Sequence, residues 1–137
     1  MRSVAVFDTN ILVSAVGWKG KPFECVELAR SGTATGITCR EILEELAEKL
    51  ETKLALPPED IGAAIADLLS FLLVVAITGT LKVVSGDSDD DKVLECAELG
   101  GASHIVTGDR RHLLPLGKFK GIDIVTAADF LTIATQP

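Results

Sequence analysis

Apolar residues in this chain fall into short unbroken runs, each giving way to a stretch with helical spacing. SVAVF (3–7), ATGIT (34–38), LKVV (81–84), HIVT (104–107) and IDIV (122–125) read as strands. Between them lie helical patterns at 10–16, 23–31, 41–54, 59–75 and 92–99, a short helix beginning at RRHLL (110–114), and a closing helix at 127–134. Near-continuous apolar strands are buried on both faces, which is the signature of a parallel sheet. Parallel neighbours need crossover connections, and these are right-handed and usually helical. The expected fold is therefore α/β, with about five mostly parallel strands and helices on both faces of the sheet.

Length and composition agree. The 137 residues suit one domain spanning 1–137, with no repeat, linker or low-complexity tract. Apolar residues make up 47 % of the chain while aromatics are 4 %, so the core is built from Val, Ile, Leu and Ala. Such a composition excludes a disordered chain. The longest apolar run, Leu68 to Ile77, is about half a membrane span. With no secretory leader read at the N-terminus, a cytoplasmic location is expected. Cys25, Cys39 and Cys96 are scattered and match no zinc spacing, so buried free thiols are expected. A net charge of −7 argues against a protein that coats nucleic acid, but not against an enzyme whose carboxylates hold a metal facing phosphates.

Several acids stand where strands end. VAVF runs into Asp8, LKVV leads to Asp87, Asp89, Asp90 and Asp91, and HIVT leads through Gly108 to Asp109; the helix at 41–54 offers a further acid. Ligands of open parallel sheets bind beyond the carboxyl ends of the strands, where strand order reverses. Taken singly, Asp8, Asp90 and Asp109 each suit a helix N-cap. Taken together they repel, by about 4 kcal/mol for a pair 4 Å apart at an effective dielectric near 20. A fold that gathers them needs a cation or bound protons. Oxygen-only ligands suit Mg²⁺ or Mn²⁺, which can activate water and stabilise phosphodiester charge.

VFDTNILVSA, EILEEL, DSDDDKVLECA and HIVTGDRRHL occur in the order and spacing of the PIN-domain family, which this sequence resembles from about residue 4 to 131. The nearest branch is the VapC-like toxins of prokaryotic toxin–antitoxin pairs. The resemblance implies a three-layer α/β/α sandwich and a Mg²⁺- or Mn²⁺-dependent endoribonuclease. By that resemblance the catalytic acids are Asp8, Glu45, Asp90 and Asp109, with Asp8, Asp90 and Asp109 on the metal. Thr9, Asn10 and Thr107 support the site, and Asp91 or Asp87 stands close enough to assist or replace Asp90. The resemblance also implies an RNA substrate, an antitoxin partner and a homodimer or higher oligomer. Periodicity alone places Glu44 and Glu45 on opposite flanks of the apolar stripe and does not choose between them.

Weaker signals remain. Trp18, Lys19 and Lys21 form a loop that could touch RNA by stacking and charge, or be merely solvated. Arg110 and Arg111 could bind phosphate beside the metal or balance local charge. His112 could act as a base, although metal and carboxylate suffice to activate water. His104, which opens a strand, reads as structural. The apolar surface of 59–77 reads mainly as core, with a partner groove as the other option. The competing function is an inactive member of the fold that binds RNA or protein. An aspartyl-phosphate phosphatase would need an acid two residues after Asp8, where Asn10 stands.

Overall fold

The strand Val4–Phe7 (β1) lies inside a six-stranded sheet, its last three residues buried. The computed structural model describes residues 2–83 and 88–136. On one side of β1 lie Thr35–Thr38 (β2) and then Leu73–Val74 (β3); on the other lie His104–Val106 (β4), Ile122–Val125 (β6) and, at the edge, Lys118–Phe119 (β5). All pairs are parallel except β5 with β6, a hairpin turned at Lys120 and Gly121. The chain adds strands outward from β1 in one direction, then returns to place β4 against its other flank. The crevice beyond the carboxyl ends of β1 and β4 is therefore the switch point of the sheet.

Helices flank the sheet on both sides, giving a three-layer α/β/α sandwich. Thr9–Gly17 (α1) follows β1 after a single residue and packs on Lys21–Arg30 (α2) and Arg40–Thr52 (α3). In α3, Ile42, Leu46 and Leu50 repeat every four residues and are fully buried. That stripe drives the helix onto the core and leaves its acidic flank outward. Pro22 sits in the first turn of α2, where a missing N–H costs nothing. Ser88–Leu99 (α5) packs on β1, β2 and β4, and Ala127–Ala134 (α6) packs on α2, its start capped by Thr126 accepting the Asp129 N–H.

Three stretches depart from the sequence reading. The helix expected over 59–75 is Pro58–Leu69 (α4), which stops at Ser70 so that Leu73 and Val74 can extend as β3. Val75 continues this pairing, its N–H donating to Thr38 O at 2.7 Å. The β-branched pair Val74–Val75 favours extension over another helical turn. The strand expected at LKVV is absent over 81–83, and Val84 lies outside the described residues. The apolar surface of 59–77 is mostly core: Leu68 and Leu72 are buried and Ile61, Ala64, Ile65, Phe71, Val75 and Ile77 pack against the core, while Leu69, Leu73 and Val74 are exposed. The short helix at 110–114 is a turn followed by the 3-10 turn Leu114–Leu116. All three cysteines are free and buried. Among the described residues no helix is long and apolar enough to cross a membrane.

Candidate active site

Asp8 occupies the N-cap position of α1, yet its side chain makes no capping hydrogen bond. Its Oδ2 instead accepts the Thr107 hydroxyl at 2.7 Å, while its own N–H donates to Val106 O at 2.9 Å. Asp8 is 7 % exposed. Burial raises its pKa above the usual carboxylate value, and the Thr107 hydrogen bond only partly opposes this. Here is a charge that the fold holds without a full counter-charge.

Asp109 does act as a cap. Its carboxylate accepts the N–H groups of Arg111 (3.1 Å), His112 (3.2 Å) and Leu113 (3.0 Å), and its N–H donates to Thr107 Oγ1 at 3.0 Å. Thr107, fully buried after β4, thus ties together the two acids that follow neighbouring strands. Asp90 is not the cap of a helix at Lys92, because α5 already begins at Ser88 and Asp90 lies in its first turn. The partial positive charge of that helix end favours an acid there. His112 Nδ1 lies 2.9 Å from Asp90 Oδ2 and 3.9 Å from Asp109 Oδ2.

Glu45 enters from α3. The Thr9 hydroxyl donates to it, and Lys92 and Lys49 stand at 3.1 and 3.7 Å. Lys49 also donates to Asn10 Oδ1 at 3.1 Å, fixing the residue after Thr9. Burial pushes the Lys92 ammonium down, but the hydrogen bond and charge of Glu45, with those of Asp89, hold its pKa above the ordinary value. Glu44 is exposed, so the structure separates two glutamates that periodicity left equivalent. Neither lysine was singled out from sequence. Lys49 follows Glu45 by four residues on one helix and could have been found by that spacing. Lys92 comes from another helix and carried no local signal.

These groups line one cleft of about 370 Å³: Asp8, Glu45, Asp90, Asp109, His112 and Arg111 at its wall, with Asn10 and Lys49 beside Glu45. Other expected residues fall elsewhere. Asp91 is buried and accepts the Val83 N–H at 3.0 Å, lining a neighbouring hollow with Glu95 and Glu41. Lys19, Lys21, Trp18 and Arg110 are exposed and do not line the cleft. Asp87 lies outside the described residues. His104 sits at the far end of β4, its Nδ1 2.8 Å from Ser103 Oγ and its ring against Phe130. Sequence reasoning also missed Glu95, which is 4 % exposed and accepts from Thr78 N (2.8 Å), Thr78 Oγ1 (2.5 Å) and Gly79 N (3.1 Å).

The donor set fits a divalent cation. Asp90, Asp109 and His112 can each offer one ligand atom, all within 4.8 Å of one another, and Asp8 adds a buried carboxylate to the same cleft. Sheet and site together define an α/β/α protein with an acidic cleft at its switch point. The chain belongs to the PIN domain family, whose sequence model matches residues 4–111. In fold it is similar to the VapBC2 complex of Rickettsia felis, solved bound to a DNA fragment from its promoter. That match has a TM-score of 0.63 and 16 % identity over 90 % of this chain and 98 % of the other. It is also similar to VapC20 of Mycobacterium tuberculosis, a toxin that cleaves the sarcin–ricin loop. Here the TM-score is 0.59, with 14 % identity over 87 % of this chain and 98 % of the other. No curated protein matches it in sequence.

Proposed function

We propose that the chain is a metal-dependent endoribonuclease of the toxin type, with Asp8, Glu45, Asp90 and Asp109 as its catalytic acids. The observation that carries this reading is the convergence of four carboxylates from separate segments on one cleft, one of them buried with a raised pKa. Asp8, Asp90 and Asp109 would hold Mg²⁺ or Mn²⁺. When bound, such an ion lowers the pKa of an attacking water and offsets the charge of the phosphodiester.

The chain's own groups do the rest. The Thr107 hydroxyl donates to the Asp8 carboxylate and accepts the Asp109 backbone N–H, while the N–H groups of Arg111, His112 and Leu113 fix the Asp109 carboxylate. Thr9 and Lys92 hold Glu45 at the cleft wall, where its carboxylate can orient a water and accept its proton. Arg111 supplies a cation for a phosphate of the RNA. Lys19, Lys21 and Arg110 are exposed cations that could extend the contact along the strand. In this reading the partners are RNA, an antitoxin and a second copy of the chain, acting in the cytoplasm.

The test is Asp8→Asn. Mn²⁺ titrated calorimetrically should bind the natural chain, and binding should be lost in the variant. RNA cleavage should fall by at least about 100-fold, as expected for losing a group that acts directly on the reaction. Undiminished cleavage by the variant overturns the reading. Metal-independent RNA binding without cleavage by the natural chain would establish the binding module instead.

A further inference from the structure

We infer that His112 supplies a nitrogen ligand to the ion held by Asp90 and Asp109, so that the site selects Mn²⁺ over Mg²⁺. The inference rests on the metal-dependent reading above and narrows it to a kind of ion.

The geometry is local and tightly held. His112 lies in the turn that Asp109 caps, with its own N–H bound to Asp109 Oδ2, so the backbone that carries the ring is anchored to one of the acids. From there Nδ1 reaches 2.9 Å from Asp90 Oδ2 and 3.9 Å from Asp109 Oδ2. An ion with ligands at about 2.0–2.2 Å separates its donor atoms by about 3 Å when adjacent and a little over 4 Å when opposite. Both spacings fall in that range, and the three donors together span no more than 4.8 Å. The imidazole therefore stands where an ion shared by Asp90 and Asp109 would meet it.

A nitrogen in the set changes which ion is preferred. Mg²⁺ takes oxygen ligands and gives up its waters reluctantly, whereas imidazole suits transition ions. An all-carboxylate site would treat Mn²⁺ and Mg²⁺ more evenly. The sequence contains two histidines, and the other, His104, is engaged with Ser103 and Phe130 at the opposite end of β4. Any imidazole nitrogen detected at a bound ion is consequently that of His112.

The experiment measures this nitrogen directly. Electron spin echo spectra of the protein loaded with Mn²⁺, prepared with natural and with ¹⁵N-labelled histidine, should show a nitrogen coupling that changes with the label. Calorimetric titration of Mn²⁺ and of Mg²⁺ into the natural chain and into His112→Gln forms the second arm. Mn²⁺ affinity should fall at least about tenfold, since even ligand-supporting residues cost that much. Mg²⁺ affinity should hardly change, which collapses the preference. Metal-free melting checks that the variant is folded, and the spectra require no variant at all. Mn²⁺ bound without a histidine nitrogen coupling, or an unchanged Mn²⁺/Mg²⁺ ratio in His112→Gln, overturns the inference and leaves the carboxylate site intact. A natural chain that binds neither ion overturns the metal-dependent reading itself, and this inference with it.

Discussion

Two buried acids in this protein are held in opposite ways, and each gives a different prediction. Burial raises the pKa of Asp8, so its ionised form is disfavoured in the fold. A carboxyl whose folded pKa is raised stabilises the fold while protonated and loses that contribution as pH rises through the folded value. At neutral pH the ionised Asp8 therefore costs stability. Metal-free Asp8→Asn, whose amide oxygen can still accept from Thr107, should melt no lower than the natural chain. Glu95 is the reverse case. Burial pushes its pKa up, but hydrogen bonds from Thr78, Gly79 and Leu81 outweigh that and leave it below its ordinary 4.5. Its contribution is complete above 4.5 and disappears as pH falls through the lower folded value. Glu95→Gln should cost about 1–3 kcal/mol at pH 7, the range for disrupting hydrogen bonds to a buried charge. Acid unfolding curves should show the natural chain and this variant converging as pH drops.

At the scale of elements, the sheet depends on close approach at one glycine. A Cβ added to Gly36 on β2 would lie 2.4 Å from Leu72 Cδ2 and 3.0 Å from Ala29 Cβ. Leu72 is buried and Ala29 belongs to the backbone-stiffened α2, so neither yields freely. Gly36→Ala should destabilise by about 1–3 kcal/mol, as overpacking does, measured by urea unfolding. Truncating Leu72 in the same chain should make the two effects less than additive. The junction of α2 with α4 is of another kind. Arg30 binds both carboxylate oxygens of Asp67, at 2.5 and 2.7 Å, and lies 4.5 Å over the Phe71 ring. Being exposed, this fork should contribute no more than about 1 kcal/mol, with the loss in Arg30→Ala shrinking at high salt.

For the whole molecule, on the metal-dependent reading, the acidic cleft links ion binding to folding. An ion that binds only the folded state adds stability as its concentration exceeds its dissociation constant, by about 2.7 kcal/mol at a hundredfold excess. Mn²⁺ should therefore raise the melting temperature of the natural chain, and Asp8→Asn should show no rise. Much of this architecture was legible in the order of apolar runs: β1, β2, β4 and β6 stand where VAVF, TGIT, HIVT and IDIV lie. Asp8 and Asp109 could be named because strand ends in such a sheet face one edge, whereas Asp90, with no strand over 81–83 before it, is singled out among its neighbouring acids by the family resemblance. Local pattern failed where short apolar segments fit either state: the helix end at Leu69 and the two-residue strand β3 were set by pairing with β2 far back along the chain, and the two-residue β5 by its hairpin with β6. It failed again where meaning depends on a neighbour from another element. Only folding brings Lys92 to Glu45, His112 to Asp90, and the Thr107 hydroxyl to Asp8. Periodicity and strand-end position are properties of the chain and can be read along it; burial, counter-charge and donor spacing are properties of packing, and exist only once distant segments meet.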